Sequence, residues 1–338
     1  MTAPQAIVNN TIQGLAFGAG QQFENLTMIP ITGGGDGVPG YITLDEALAS
    51  GDIEITEVSD AGQVSELKVT VKGASPVLLV DGEELVGAKQ NRVLNLTILA
   101  AARQTTRVPV SCVEAGRWRH SSARFASSPR TQFSEGRAAR MQHVTASLSA
   151  TGSRESDQSE VWSQIAHKSE RLRVRSATSA MSDIYDSLDR TIDAYVGAAT
   201  PVANQVGAVF LINGTPAGMD LFDSPSTWRK LAAKLVRGYA LDAIDRRQTT
   251  SDTSETPLTP QRHLRDTSDT SETPQRPGVA AGFAQTVQSA EASVFPATGE
   301  GEDVRLKGLA VTGAALVAHE RVVHMSAFPT DDAIATLI

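Results

Sequence analysis

The chain has 338 residues, of which 41% are hydrophobic, and a formal net charge of −8. This length allows a sizeable core in one large or two ordinary domains, and the hydrophobic content excludes disorder throughout. The acidic balance argues against a general nucleic-acid coat protein, which would be basic. Cys112 is the only cysteine, so an intrachain disulfide and a cysteine-rich zinc site are excluded.

The same features bear on where the protein acts. A single cysteine suits the reducing cytoplasm. The N-terminus lacks the basic and apolar regions of a signal peptide, and no apolar stretch approaches the roughly 20 residues that span a bilayer. We therefore expect a cytoplasmic protein without a membrane partner.

Residues 1–118 are predicted to form a β-rich unit, either a sandwich or a barrel. Near residues 43–48 we expect a helix, because Thr43 can cap it and Glu46 completes a capping box. Five segments have the apolar pattern of strands, and turn signals separate them: residues 52–58, 67–71, 76–80, 93–99 and 107–113.

Residues 119–158 are rich in Ser, Arg, Ala and Gly, which predicts a loop or linker. From residue 159 to 338 we expect a mixed α and β region. A helix over 177–196, a strand over 206–212 and a helix capped by Ser224 or Ser226 come first. Further strands are predicted at the C-terminal end: residues 304–311, 313–318 and 321–326.

A low-complexity insertion is predicted at 248–277. The polar sequence Ser-Asp-Thr-Ser-Glu-Thr-Pro occurs at 251–257 and again at 268–274. Such a composition cannot build a core of its own. The fold class expected for the whole chain is α+β: a β-rich N-terminal half, then a helix-strand-helix half closed by C-terminal strands.

Residues 81–92 are predicted to be a polar loop that carries a site. Lys89 and Arg92 suit a phosphate or carboxylate, the two amides suit base or sugar edges, and the glutamates suit ribose hydroxyls or a general base. The alternative is a solvated loop whose ion pairs contribute about 0–1 kcal/mol each. Seven polar side chains lie there between apolar segments: Asp81, Glu83, Glu84, Lys89, Gln90, Asn91 and Arg92.

A second cluster runs from Cys112 to Trp118. Alternation along a strand places Cys112 and Glu114 on one face, where the carboxylate would raise the thiol pKa. We therefore expect Cys112 to be a small buried residue rather than a catalytic thiolate. Arg117 suits an anionic group, and Trp118 can stack on a base or pack in the core.

Three further features of the sequence allow more than one interpretation. Residues 103–140 hold eight arginines and no lysine, which fits either an RNA-contacting segment or a basic flexible loop. Asp220 follows a strand and turn, where it suits a ligand-binding or acid/base residue, or the stabilisation of the turn or of the next helix N-terminus. We expect His324 to be a structural histidine, and no metal site is predicted, because no two histidines have metal-ligand spacing.

These motifs resemble the ARG and Rhodanese-Phosphatase-superfamily-associated protein domain family. The resemblance rests chiefly on residues 82–92 and 110–118, with support from 41–47, 220–222 and 324–328. The family name implies genomic association with ADP-ribosylglycohydrolase and rhodanese-phosphatase proteins, and so a role in ADP-ribose or nucleotide metabolism. It assigns no reaction to individual residues.

Two functional hypotheses follow. In the first, the protein binds or acts on an ADP-ribose-like or other phosphorylated nucleotide, with Arg92 and Lys89 on phosphate and Glu84 or Glu114 as acid/base or hydroxyl-binding residue. In the second, a non-catalytic scaffold presents its Arg-rich segment to RNA or a protein partner. The sequence does not identify a cofactor. The remaining candidates for ligand binding are Glu83, Gln90, Asn91, Arg117, Trp118 and Asp220.

Overall fold

The structure, a computed structural model, describes residues 2–33, 38–59, 62–119, 121–247 and 276–330. Helices and strands alternate irregularly along the chain. The helices are α1 (Pro4–Gln13), α2 (Leu44–Ser50), α3 (Ser134–Thr151), α4 (Gln158–Arg171), α5 (Met181–Ser187), α6 (Asp189–Ala198), α7 (Pro225–Asp245) and α8 (Pro277–Gln288). The first strands are β1 (Ala16–Phe17), β2 (Gln21–Phe23), β3 (Leu26–Thr32), β4 (Ile42–Thr43), β5 (Ile53–Glu57), β6 (Glu66–Val71), β7 (Val77–Leu79), β8 (Glu83–Gly87) and β9 (Arg92–Leu94). The others are β10 (Ile98–Ala100), β11 (Thr105–Cys112), β12 (Phe125–Thr131), β13 (Gln205–Ile212), β14 (Thr215–Phe222), β15 (Glu291–Pro296), β16 (Glu302–Lys307), β17 (Val311–Ala318) and β18 (Arg321–Pro329).

The strands form three sheets, and the predicted α+β class is confirmed. The largest sheet is antiparallel, with the order β1-β3-β13-β14-β18-β17-β16-β15 and β2 beside β3. A second sheet has the order β12-β8-β9-β11-β6-β5, and a small third sheet has the order β10-β7-β4. Strand β3 pairs with β13, so the largest sheet combines strands from the N-terminal and the C-terminal parts of the chain.

Helices cover both faces of the largest sheet. On one face Phe210 of β13 stacks on Tyr239 of α7, with ring centres 3.9 Å apart. On the other face Val209 and Leu211 pack in one cluster with residues of α1 and α8, among them Phe283. Burial on both faces explains why 206–212 is continuously apolar rather than alternating.

Two local sequence signals are confirmed. Thr43 accepts a hydrogen bond from the Glu46 amide, and the Glu46 carboxylate accepts one from the Thr43 amide, which completes the capping box of α2. Ser224 caps α7 through the amide of Ser226. Both signals involve residues at most three apart, so they need no tertiary contact to be recognised.

The prediction of a loop or linker at 119–158 is wrong. This segment contains β12, which pairs with β8, and the long helix α3. Its composition misled because the first buried positions of α3 hold polar or small residues, and large apolar residues follow only at Met141, Val144 and Leu148. Ser134, Gly136, Arg137 and Arg140 are all buried, and carboxylates elsewhere in the fold pair with the arginines.

Other predicted boundaries also change. Segment 81–92 is not a loop throughout, because β8 occupies 83–87 and β9 begins at Arg92. The helix predicted over 177–196 is divided into α5 and α6, which meet at Leu188. Of the insertion predicted at 248–277, residues 248–275 lie outside the described residues, and Pro277 begins α8.

Candidate functional site

The structure brings most of the predicted residues of 89–118 together at one end of the second sheet. The turn between β8 and β9 lies against the chain that leaves β11. We call this group the Arg92 site. It comprises Glu57, Lys89, Gln90, Asn91, Arg92, Glu114, Arg117 and Trp118.

Strand pairing decides which side chains share a face. Arg92 lies opposite Leu85 on β8 and opposite Cys112 on β11, so these three side chains are neighbours on one face. Glu84 lies opposite Val93 and therefore points to the other face. The expected convergence of Glu84 with Arg92 in one cleft is thus absent, because adjacent strand residues alternate between faces.

Arg117 ties the turn to the strand end. Its guanidinium donates to the carbonyl of Ala88 at 2.9 Å and to Asn91 Oδ1 at 3.0 Å. It also pairs with the Glu114 carboxylate at 2.6 Å. The turn it holds includes Ala88 with φ of 41°, a left-handed conformation that is costly for a residue with a side chain. Arg117 therefore positions the turn and has its donors engaged within the protein.

Glu114 is held as a carboxylate by its own neighbours. It accepts hydrogen bonds from the Asn91 amide at 3.1 Å and from the Thr178 hydroxyl at 3.0 Å, besides the Arg117 pair. Burial alone would raise the pKa of Glu114, but these hydrogen bonds outweigh it and lower the pKa. The amide groups of the turn are likewise engaged, because Gln90 donates to the Glu114 carbonyl.

Arg92 differs from these residues because part of its guanidinium is unpaired. The side chain is fully buried. Nη1 donates to Gln90 Oε1 at 3.1 Å and to the Asn91 carbonyl at 3.4 Å, whereas Nε and Nη2 have no hydrogen-bond partner among the residues that the structure describes. Burial lowers the pKa of Arg92, and the surrounding negative groups do not compensate. A buried donor without a partner is costly and marks a place where a ligand can be received.

Trp118 covers this arginine from the outside. The Arg92 guanidinium carbon is 5.9 Å from the ring centre and Lys89 Nζ is 5.2 Å from it, both within cation–π range. The indole is 50% exposed, so it lies at the surface and is not part of the core. One face of the site therefore combines an exposed aromatic ring with two basic side chains.

Cys112 lies behind Arg92 in the interior. Its thiol is buried beside the Glu114 backbone, with Sγ 3.5 Å from the carbonyl oxygen. Burial is the main cause that raises the pKa of Cys112, Arg92 opposes it, and the Glu114 carboxylate adds only a small effect. A buried thiol with a raised pKa is a poor nucleophile.

The two glutamates of β8 lie elsewhere in buried ion pairs. Glu83 pairs with Lys234 of α7 at 2.8 Å, and the same ammonium pairs with Asp45 at 2.7 Å. Glu84 pairs with Arg130 of β12 at 2.7 Å. Burial nevertheless raises the pKa of Glu84, since it outweighs the arginine. These pairs join β8 to α2, α7 and β12 and lie apart from Arg92.

Asp81 and Asp220 meet in a separate buried cluster around Arg137 of α3. Arg137 donates to both oxygens of Asp81 at 3.0 Å and to those of Asp220 at 2.7 and 3.1 Å. His324 Nε2 lies 3.3 Å from Asp220, and the Tyr239 hydroxyl donates to Asp220 at 2.8 Å. Burial would raise the pKa of both aspartates, but Arg137 and His324 outweigh it and lower both.

This cluster fits an internal ion-pair network better than a cation site. Asp81, Asp220 and His324 each offer a ligand atom within 4.8 Å of the others. Arg137 already occupies both carboxylates with its guanidinium fork, so a metal ion would have to displace it. Arg140 adds a second positive charge, with Nη2 3.7 Å from Asp81. Arg137 was not predicted as a buried residue, because it lies in the segment predicted to be a linker.

The Arg-rich segment at 103–140 is divided between surface and interior. Arg137 and Arg140 are buried, and Arg130 is largely enclosed between Glu84 and Asp186. The arginines that remain exposed do not form a continuous helix face, since they lie in the turn before β11, on β11 and in the chain between β11 and β12: Arg103, Arg107, Arg119 and Arg124.

The fold and the Arg92 site together define an α+β protein with a polar site where a hairpin turn meets a strand end. The chain belongs to the ARG and Rhodanese-Phosphatase-superfamily-associated Protein domain family, whose model matches residues 14–328. The resemblance inferred from the motifs is confirmed. No curated protein and no solved structure matches the chain. Among the described helices, none is long and apolar enough to cross a membrane.

Proposed function

We propose that the protein binds a phosphorylated nucleotide of the ADP-ribose type at the Arg92 site. The observation that carries this proposal is the unpaired state of Arg92 Nε and Nη2 in a fully buried side chain. These two groups form one edge of the guanidinium, and such an edge can donate two parallel hydrogen bonds to two oxygens of a phosphate. A phosphate bound there would supply the hydrogen-bond acceptors and the negative charge that Arg92 lacks within the protein.

Trp118 would supply the second element of nucleotide binding. An exposed indole offers a flat face on which a base can stack, and such stacking contributes about 1–3 kcal/mol per base. Lys89 Nζ, 5.2 Å from the same ring, adds positive charge next to the bound phosphate. A basic group and an aromatic face within one site suit a ligand that has both a phosphate and a base.

Access to Arg92 requires movement. The side chain has no exposed surface, and Trp118 lies over it. A ligand phosphate therefore reaches Nε and Nη2 only when Trp118 shifts, and the displaced indole is then available to stack on the base. Side-chain rotation of an exposed residue is fast and needs no rearrangement of the strands.

The proposal is limited to binding. Glu114 is engaged by Asn91, Arg117 and Thr178, and Glu84 lies on the opposite face of the hairpin from Arg92. Neither Glu114 nor Glu84 therefore offers an unengaged carboxylate beside the bound phosphate that could act as a general acid or base. We propose that binding takes place in the cytoplasm, where a chain with one cysteine is stable in reduced form.

Isothermal titration calorimetry tests the proposal. ADP-ribose, NAD, ADP and inorganic phosphate are titrated into the wild-type protein, Arg92→Gln and the matched control Arg107→Gln. Arg107 is an exposed arginine of the same sheet, paired only with Glu66 at 3.4 Å. We expect a nucleotide to bind the wild type and the control equally and Arg92→Gln about tenfold to a hundredfold more weakly. No binding at millimolar nucleotide by folded wild-type protein would overturn the proposal.

The scaffold hypothesis is tested by measuring RNA capture with the same three proteins. Capture of RNA that is unaffected by Arg92→Gln and weakened by Arg107→Gln would favour it. The burial of Arg137 and Arg140 weighs against an RNA surface, because neither side chain reaches solvent.

A further inference from the structure

We infer that Glu57 is an additional ligand-binding residue of the Arg92 site and that its Oε2 accepts a hydrogen bond from a hydroxyl of the nucleotide's adenosine ribose. This inference rests on the proposed function and specifies the sugar that the site selects. Glu57 ends β5 and is 9% exposed. Within the described part of the chain, its Oε2 is buried without a hydrogen-bond partner, while Oε1 accepts a long bond of 3.4 Å from the Lys89 amide.

Glu57 is part of the same site as Arg92 and Trp118. Its Oε1 receives the amide of Lys89, whose ammonium lies against the Trp118 ring. The charge of Glu57 also acts on Arg92, where it opposes the effect of burial on the pKa. Two groups of opposite charge thus lie in one site, yet neither satisfies the other, because Glu57 Oε2 and Arg92 Nη2 both lack a partner among the described residues.

A glycine borders Glu57 and Lys89. A Cβ atom at Gly62 would lie 3.5 Å from both Glu57 Oε2 and Lys89 Nζ and 3.2 Å from Lys89 Cδ. Gly62 has φ of 74°, a left-handed conformation that disfavours other residues. A side chain at this position would therefore crowd Lys89 and lie in contact with the Glu57 carboxylate.

The chemistry of these unpaired groups defines the ligand. An arginine edge donates two hydrogen bonds to a pair of anionic oxygens, whereas a carboxylate oxygen accepts a hydrogen bond and repels a phosphate. A single ligand satisfies both only if it has a phosphate and a hydroxyl a few ångströms apart. A nucleotide with an intact ribose has this arrangement, and a deoxynucleotide that lacks the hydroxyls leaves the carboxylate unpaired, which is strongly penalised.

A titration with nucleotides that differ only in the sugar tests the inference. ADP and 2′,3′-dideoxy-ADP are titrated into the wild type, Glu57→Leu and the control Glu54→Leu. Glu54 lies on the same strand but pairs with Lys72 and Arg124 at the surface. We expect the wild type and the control to prefer ADP by about tenfold to a hundredfold and Glu57→Leu to lose that preference.

The outcomes separate this inference from the proposed function. Equal binding of both ligands to the wild type, or a preference that survives in Glu57→Leu, would overturn the role of Glu57 and leave the phosphate site intact. Failure of ADP to bind would also overturn it. In that case, ADP-ribose binding that depends on Arg92 would keep the proposed function, and absence of ADP-ribose binding would remove both.

Discussion

The guanidinium carbon of Arg92 lies 5.9 Å from the centre of the Trp118 ring, with the arginine fully buried and the indole half exposed. Trp118 is thus the outer wall of a site whose inner wall has two unpaired N–H groups. On the proposed route, an anion reaches these groups by displacing the indole. The position of Trp118 should therefore report directly on whether the site is occupied.

Tryptophan fluorescence should detect the ligand. We expect saturating ADP-ribose to change the emission of the wild type, because Trp118 exchanges solvent for a stacked base. The change should disappear in Trp118→Phe, which retains an aromatic face. Trp228 is fully buried and Trp162 only partly exposed, so they provide a constant background. An unchanged spectral response in Trp118→Phe would show that the ligand binds elsewhere.

Two buried arginines should respond oppositely to the same substitution. Arg137 is paired with two carboxylates, so Arg137→Met leaves Asp81 and Asp220 without their cation and should lower the free energy of unfolding by about 3–5 kcal/mol. Arg92 has unpaired N–H groups, so Arg92→Met should raise it by about 1–3 kcal/mol in the absence of ligand.

Urea unfolding of both variants and the wild type measures these changes. A loss of several kcal/mol in Arg92→Met would mean that this arginine holds the fold together and is not reserved for a ligand. The stability of Arg137→Met tells independently whether the cluster at α3 is a structural ion-pair network.

The Asp81–Arg137 pair should make stability depend on acidity. Burial alone would raise the pKa of Asp81, but Arg137, His324 and Arg140 outweigh it and hold the pKa well below its usual range. A depressed folded-state pKa gives stability that is fully present above the unfolded value, about 3.9, and is lost as the pH falls below it.

Asp81→Asn should therefore be less stable at neutral pH and should lose less stability between about pH 5 and pH 3 than the wild type. Urea unfolding across this range provides the measurement. The control is Asp186→Asn, since the Asp186 side chain is 67% exposed. The same slope for the wild type and Asp81→Asn would contradict the predicted linkage.

Arg117 should act by positioning the turn at residues 88–91. Arg117→Leu removes donors to the Ala88 carbonyl and to Asn91, so we expect faster hydrogen exchange of the turn amides. Nucleotide affinity should fall as the turn loosens, with the indole response of Trp118 retained at saturation. Arg119→Leu, at an exposed position, should leave exchange and affinity unchanged. Unaltered exchange in Arg117→Leu would rule out this positioning role.

Local features of the fold were predictable from the sequence, and long-range ones were not. The capping box of Thr43 and Glu46 is complete within four residues. Helix α3 was missed because Arg137 and Arg140 are buried only through partners such as Asp81, which is 56 residues away from Arg137. The spacing of apolar residues cannot reveal a buried charge that is neutralised by a distant segment of the chain.

In the candidate site, too, local features were predictable from the sequence and long-range ones were not. The motifs that contain Arg92 and Glu114 indicated where polar groups meet, and the structure brings them together through the Asn91 amide. The sequence could not show that Glu84 points away from Arg92, because only the pairing of β8 with β9 fixes the faces. Glu57 was not predicted as part of the site, since nothing in its own strand pattern distinguishes it from a solvated carboxylate.

A crystal structure of the protein with ADP-ribose tests the central claim most directly. We predict a phosphate oxygen within hydrogen-bond distance of Arg92 Nε or Nη2 and the Trp118 indole stacked on the base. A ligand bound elsewhere, with Trp118 still lying over an unpaired Arg92, would contradict the claim.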